Sequence, residues 1–174
     1  MTDPTSLILI GLGANLGNAE FASPRAICEA AVSAIEEAGV VILRQSGWFK
    51  SAPVPASSQP WYINGVIAVE TSLTPEPLMS LMARIEERFG RTRGEKNAAR
   101  TLDIDLIAYG DMVIGWDQDE TDGLCVPHRR MNARGFVLLP LQEIAPDWLH
   151  PVLHLPLTQM IAALDPSQRT LRDD

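Results

Sequence analysis

Asp103 and Asp105 stand two residues apart in the run Arg100-Thr101-Leu102-Asp103-Ile104-Asp105-Leu106-Ile107. On a strand, side chains at i and i+2 project from the same face, roughly 6 to 7 Å apart along it. Like charges that close repel, so the pair needs a bridging cation or a cover of water. Two hard oxygen ligands with room for phosphate oxygens suit Mg²⁺. A solvated strand face is the competing reading. Leu102, Ile104, Leu106 and Ile107 weigh against it, because they imply a mostly buried strand, where unpaired carboxylates are disfavoured.

Two basic segments flank this pair. Arg91, Arg93, Lys96 and Arg100 precede it, four of the 14 basic residues of an otherwise acidic chain, and His128, Arg129, Arg130 and Arg134 follow it. Either run alone reads as solvated charge. Around a carboxylate pair they supply what transfer from a nucleotide polyphosphate requires: a metal bridging phosphate oxygens, and arginine forks neutralising the charge that builds on the transferred and leaving groups.

Other motifs bear on the ligand. Gly11-Leu12-Gly13-Ala14-Asn15-Leu16-Gly17 lacks the G-K-[ST] ending of a P-loop and the spacing of a dinucleotide fingerprint, so its glycines read as a tight exit from a strand. Tyr62 and Phe136 could stack a flat heterocycle, although core packing explains either ring alone. Asn64 lies between apolar residues of the same strand, and its amide needs partners that a ring edge or the backbone could supply. His128 follows a loop with no second histidine or cysteine nearby, which argues against zinc and leaves a proton donor or phosphate contact. Ser51 lacks a G-x-S-x-G context, so a nucleophilic serine is not supported.

The elements that must hold these residues follow from pattern. Leu7 to Ile10 is an apolar run fit for a buried strand, Ser23-Pro24 caps a helix that ends at Gly39, and Val40 to Leu43, extended by Ser46 to Lys50, forms a second strand. A Pro- and Ser-rich loop from Pro53 to Pro60 leads to a third strand, Tyr62 to Thr71. Thr74-Pro75 opens a second helix ending at Gly90, and Thr101 to Tyr109 is a fourth strand. The β-α-β-β-α-β order predicts an α+β, ferredoxin-like core, an antiparallel sheet with helices packed on it. Phe136 to Leu141 and Leu157 to Leu164 should add short strands or a helix.

The 174 residues suit one domain spanning 1–174, with 1–6 and 166–174 as loose tails. A net charge of −8 argues against nonspecific binding to nucleic acid or anionic membrane. The chain shows neither a signal peptide nor a span of about 20 apolar residues. Cys28 and Cys125 belong to no disulfide framework or zinc motif, and a cytosolic home is expected.

Taken together, Arg-Thr-Leu-Asp-Ile-Asp-Leu (100–106), Val126-Pro127-His128, Arg134-Gly135-Phe136, Pro140-Leu141, Glu143-Ile144-Ala145-Pro146, the opening Gly-Leu-Gly-Ala-Asn-Leu-Gly, and Gln59-Pro60 with Tyr62 and Asn64 resemble the 6-hydroxymethyl-7,8-dihydropterin pyrophosphokinases of folate biosynthesis. The resemblance runs from about Leu7 to about Leu164. It implies transfer of the terminal diphosphate of ATP to the pterin hydroxymethyl group, giving AMP; separately, a monomer is expected. By position, Asp103 and Asp105 would hold two Mg²⁺ ions, with Arg91 and Arg100 on a catalytic loop. Glu86, Arg93, His128 and Arg134 would line the ATP side, and Ser51, Ala52, Val54, Tyr62, Asn64 and Phe136 the pterin pocket. The chain departs from the family in having Asn97-Ala98-Ala99 where many members carry Trp-Gly-Pro, Gly13-Ala14-Asn15 for Gly-Ser-Asn, Ala52 for a proline and Arg129 for a tyrosine. Two other classes stay open: a two-metal nucleotide phosphohydrolase, and a non-catalytic ferredoxin-like module binding a small ligand.

Overall fold

The computed structural model describes residues 6–90, 101–119 and 123–174. Its sheet is antiparallel throughout, in the order β5-β1-β4-β3-β6 with β2 also paired to β4. The strands are β1 (Ile8–Ala14), β2 (Val41–Gln45), β3 (Phe49–Ser51), β4 (Tyr62–Glu70), β5 (Asp103–Tyr109) and β6 (Thr170–Arg172). With β2 and β3 sharing one edge of β4, the first five strands and the two helices between them reproduce the expected ferredoxin-like core.

Helix α1 (Pro24–Glu37) starts where Ser23 Oγ accepts the Ala26 N–H at 3.2 Å and Pro24 presets the first turn. Helix α2 (Pro75–Arg88) follows Thr74. Both end at glycines with positive φ, Gly39 at 93° and Gly90 at 89°, a conformation that L side chains resist. Their apolar stripes, Ile27, Ala31 and Ile35 on α1 and Leu78, Met82 and Ile85 on α2, pack on Ile10, Leu12, Ile67, Ile104 and Leu106 of the sheet.

The opposite face is covered by α3 (Gly135–Ile144) and α4 (Leu157–Ala162), which resolves the open reading of the C-terminal third in favour of helices. Leu138 and Leu141 of α3, with Trp148 and Leu157, close over Leu9, Val66, Ala68 and Ile107. Burial on both faces explains why β4 is a nearly continuous apolar run. Among the described residues no helix is long and apolar enough to cross a membrane.

Three expectations need correction. The second strand does not continue through Ser46 to Lys50. Ser46 Oγ takes the Val66 N–H at 2.9 Å, and the Trp48 ring fills the space above Gly65, where a Cβ would come within 2.7 Å of it, so the chain bends between β2 and β3. Residues 166–174 are no loose tail: β6 pairs with β3, Arg172 bonds Glu143, and Asp173 meets Lys50 at 2.8 Å. Finally, Gly11 and Gly13 do not form a strand exit. They lie inside β1, paired to Val66 and Asn64 on one side and to Asp105 and Asp103 on the other.

Candidate active site

The period of two along each strand sorts the side chains that face α3. In β1 these are Leu9, Gly11 and Gly13; in β4, Asn64, Val66 and Ala68; in β5, Asp103, Asp105 and Ile107. Leu9, Val66, Ala68 and Ile107 sit beneath α3 and fill that half of the face with core. Beyond the helix the same rows carry only glycines, an amide and two carboxylates. The result is a pocket floored by the sheet and walled by the loop after β3 and the first turn of α3.

Ser51, Ala52, Val54, Tyr62, Asn64 and Phe136, the residues assigned to a pterin, line this one pocket together with Asp103, Asp105 and Arg134. Its polar end is built from buried groups. Asn64 Nδ2 donates to Ser51 Oγ at 2.7 Å, and both side chains are almost fully buried. Phe136, the second residue of α3, has the Arg134 guanidinium 5.5 Å from its ring centroid, a cation–π contact that fixes both at the pocket wall. The loop wall is tied down by Asn15, whose Nδ2 donates to Gln59 Oε1 and to the Pro60 carbonyl, each at 3.1 Å.

Asp103 and Asp105 are partly exposed, on either side of buried Ile104. Strand β5 is a sheet edge, and its outward Ile104 N–H is taken by Glu86 Oε2 of α2 at 3.2 Å. Glu86, expected on the ATP side, is therefore buried beneath the strand and anchors the backbone between the two aspartates. It does not line the pocket. Across the ladder from Asp103 and Asp105 stand Gly13 and Gly11. Gly11 and Gly13 line the open pocket beside these carboxylates, and a Cβ at Gly13 would come 2.9 Å from Asn64 Oδ1, so glycine there leaves the amide its place. Two hard carboxylates on one face beside such an opening fit Mg²⁺ with coordination positions left for phosphate oxygens.

His128 reaches this end from the long connection after β5. The ladder between β1 and β5 shifts register at Leu9/Ile10, which leaves Ile107 as an extra residue, and the Ile107 carbonyl accepts the His128 N–H at 2.7 Å. His128 Nδ1 accepts the Arg130 N–H at 3.2 Å, so the ring proton sits on Nε2. Burial, followed by the charges of Arg134 and Arg130 and opposed by Asp103, pushes this imidazole down to about 4. At neutral pH it is an uncharged donor among charged neighbours. Arg129 is committed elsewhere: its Nη2 donates to the carbonyls of Gly115 at 2.6 Å and Gln118 at 3.0 Å. Arg91, Arg93 and Arg100 lie outside the described residues.

Sequence reasoning did not assign Gly11, Gly13, Asn15 or Gln59 to the site. The signal was present in the glycine-rich opening and in Gln59-Pro60. Pairing across β1, β4 and β5 had to be known before two glycines in a strand could be seen as the pocket floor.

The family model described as 7,8-dihydro-6-hydroxymethylpterin-pyrophosphokinase matches residues 9–146. A 2-amino-4-hydroxy-6-hydroxymethyldihydropteridine pyrophosphokinase of Synechocystis is 41% identical over 157 residues, covering 90% of this chain and 75% of that protein. The Haemophilus influenzae protein of the same name is 36% identical, covering 89% and 88%. Among solved structures, an HPPK-DHPS in complex with substrates superposes with a TM-score of 0.68 at 14% identity, and Plasmodium falciparum HPPK-DHPS wild type with SDX-DHP with 0.66 at 15%. Those two matches show a shared fold, and this chain spans 43% of each of those longer chains while 90% of it is covered. By the family model and these sequence relatives, the chain belongs to the 7,8-dihydro-6-hydroxymethylpterin-pyrophosphokinase family.

Proposed function

We propose that this protein transfers the β,γ-diphosphate of ATP to the hydroxymethyl group of 6-hydroxymethyl-7,8-dihydropterin, giving AMP and the pterin diphosphate, in folate biosynthesis. The observation that carries the reading is the convergence of an aromatic and amide pocket with two same-face carboxylates on one glycine-floored sheet end.

The pterin ring lies between Tyr62 and Phe136, and the Asn64 amide, held by Ser51, meets the polar ring edge. This places the hydroxymethyl group toward Asp103 and Asp105. Those two side chains would hold Mg²⁺, two ions in the full site, and the metal when bound would supply charge neutralisation on the phosphate oxygens. Arg134 adds a fixed cation at the pocket wall. His128 offers Nε2–H to a phosphate oxygen without adding charge. The alcohol oxygen forms a bond to the β-phosphorus as the bond from that phosphorus to the α,β-bridging oxygen breaks. AMP carries the electron pair away and the alcohol proton leaves to solvent or Asp103. Holding both reactants in one pocket supplies the orientation an in-line displacement needs. Arg91, Arg93 and Arg100 complete the cationic lining in this reading. We read the protein as a cytosolic monomer, in keeping with its two free cysteines.

An assay with ATP, Mg²⁺ and the reduced hydroxymethylpterin tests this. AMP must appear in step with pterin consumption. ADP as the product, or ATP breakdown at the same rate without pterin, would replace this reading with a kinase or a phosphohydrolase.

A further inference from the structure

The connection from β5 to α3 carries His128, and the structure shows what holds it. Two backbone bonds between Ile114 and Val126, at 2.8 and 2.9 Å, bring its two arms together. Gly115, at φ 76°, follows the first arm so tightly that a Cβ there would come within 2.4 Å of the Leu124 carbonyl oxygen. This turn presents Trp116, whose Nε1–H donates to the Pro127 carbonyl at 2.8 Å, one residue before His128. The Arg129 guanidinium, one residue after His128, lies 5.6 Å from the Trp116 ring centroid and binds the carbonyls of Gly115 and Gln118. The indole meets the wholly buried His150 edge-on at 5.5 Å, and His150 in turn meets Trp148 at 5.7 Å, which joins the connection to the core beneath α3 and α4.

His128 is thus gripped through both of its chain neighbours by one indole. We propose that Trp116 is a positioning residue for the nucleotide side of the site: it holds Pro127 and Arg129 so that the His128 ring faces the ATP phosphates. The inference rests on the pyrophosphokinase reading, and it adds a residue that touches neither substrate. Arg129 commits its guanidinium donors to this clamp, which explains why a cation so near His128 is turned toward backbone carbonyls.

Trp116→Phe keeps the ring and removes the N–H. It should lower kcat/KM for ATP three- to tenfold and leave the KM for the pterin within twofold. In a His128→Ala background the same substitution should have no further effect, because the residue it positions is gone. Equal losses for both substrates, no loss, or an undiminished loss in the His128→Ala background would each overturn the proposal. Arg129→Met, which releases the other side of the clamp, carries the same expectations if Trp116→Phe does not fold. Calorimetric affinity for α,β-methylene-ATP with Mg²⁺ is measured alongside. Absence of AMP from the unmodified enzyme would defeat the activity reading, while this affinity still decides the role of Trp116: it should weaken three- to tenfold in Trp116→Phe and be unchanged if the proposal is wrong.

Discussion

Asn64 and Ser51 form a buried hydrogen-bonded pair at the pocket's polar end, the amide nitrogen donating to the hydroxyl at 2.7 Å, which fixes the orientation of the amide over Gly13. A buried amide set this way presents its carbonyl oxygen at one defined point of the pocket lining, and the proposed function gives that point to the pterin.

Ser51→Ala leaves the Asn64 amide nitrogen buried without its acceptor, at a cost of about 1–3 kcal/mol. Thermal unfolding should shift down by about 2–4 °C for each kcal/mol lost. The KM for the pterin should rise roughly tenfold, the equivalent of about 1.4 kcal/mol, while that for ATP stays within twofold. A variant with altered stability and an unchanged pterin KM would remove the pair from recognition.

Gly13 lies against the same amide. A Cβ there would come 2.9 Å from Asn64 Oδ1, closer than packed atoms tolerate, whereas one at Gly11 would meet the flexible end of Ile107 at 3.3 Å. Gly13→Ala should therefore weaken pterin binding at least tenfold in a fluorescence titration, and Gly11→Ala by less. The reverse ranking would show that Asn64 does not set the fit.

Composition and period made the core legible. The stripes of α1 and α2, the β-branched run of β4 and the alternation around Asp103 and Asp105 all predict their elements, because local pattern and tertiary burial agree there. What was illegible depended on partners distant in sequence. Gly11 and Gly13 read locally as a turn, since glycine in a strand is justified only by what approaches it, here Asn64 and Ile107 from β4 and β5. Residues 166–174 are polar and short, and only pairing to β3 makes Thr170–Arg172 a strand. The family resemblance implies an ATP-side position for Glu86, but its bond to the Ile104 backbone appears only once α2 is docked beside β5. Trp116 carried no sequence signal at all.

His150 gives the fold a pH dependence of definite sign. Its Nδ1 accepts the N–H groups of Val152 at 3.2 Å and Leu153 at 3.1 Å, and burial, with His154 adding a smaller effect, pushes the ring down to about 4 from its ordinary 6.5. The unfolded chain takes up a proton below about 6.5 and the folded one not until about 4, so stability falls as pH drops through that window and levels off beneath it. His128 acts in the same direction. The unfolding temperature should decline between pH 6.5 and 4. His150→Asn, which keeps an acceptor near the Nδ1 position and cannot titrate there, should start lower at pH 7 and decline less steeply. An identical slope would clear His150 of the effect.

The central claim concerns Asp103 and Asp105, and the most direct measurement is pyrophosphoryl transfer by Asp103→Ala and Asp105→Ala in saturating Mg²⁺, with pterin affinity measured in the same preparations. Each variant should lose turnover by about a hundredfold or more, in the range of removing one electrostatic stabiliser from an active site, while binding the pterin within a fewfold of the parent. Near-parental turnover in either variant would contradict the claim that this carboxylate pair holds the metal and the phosphates.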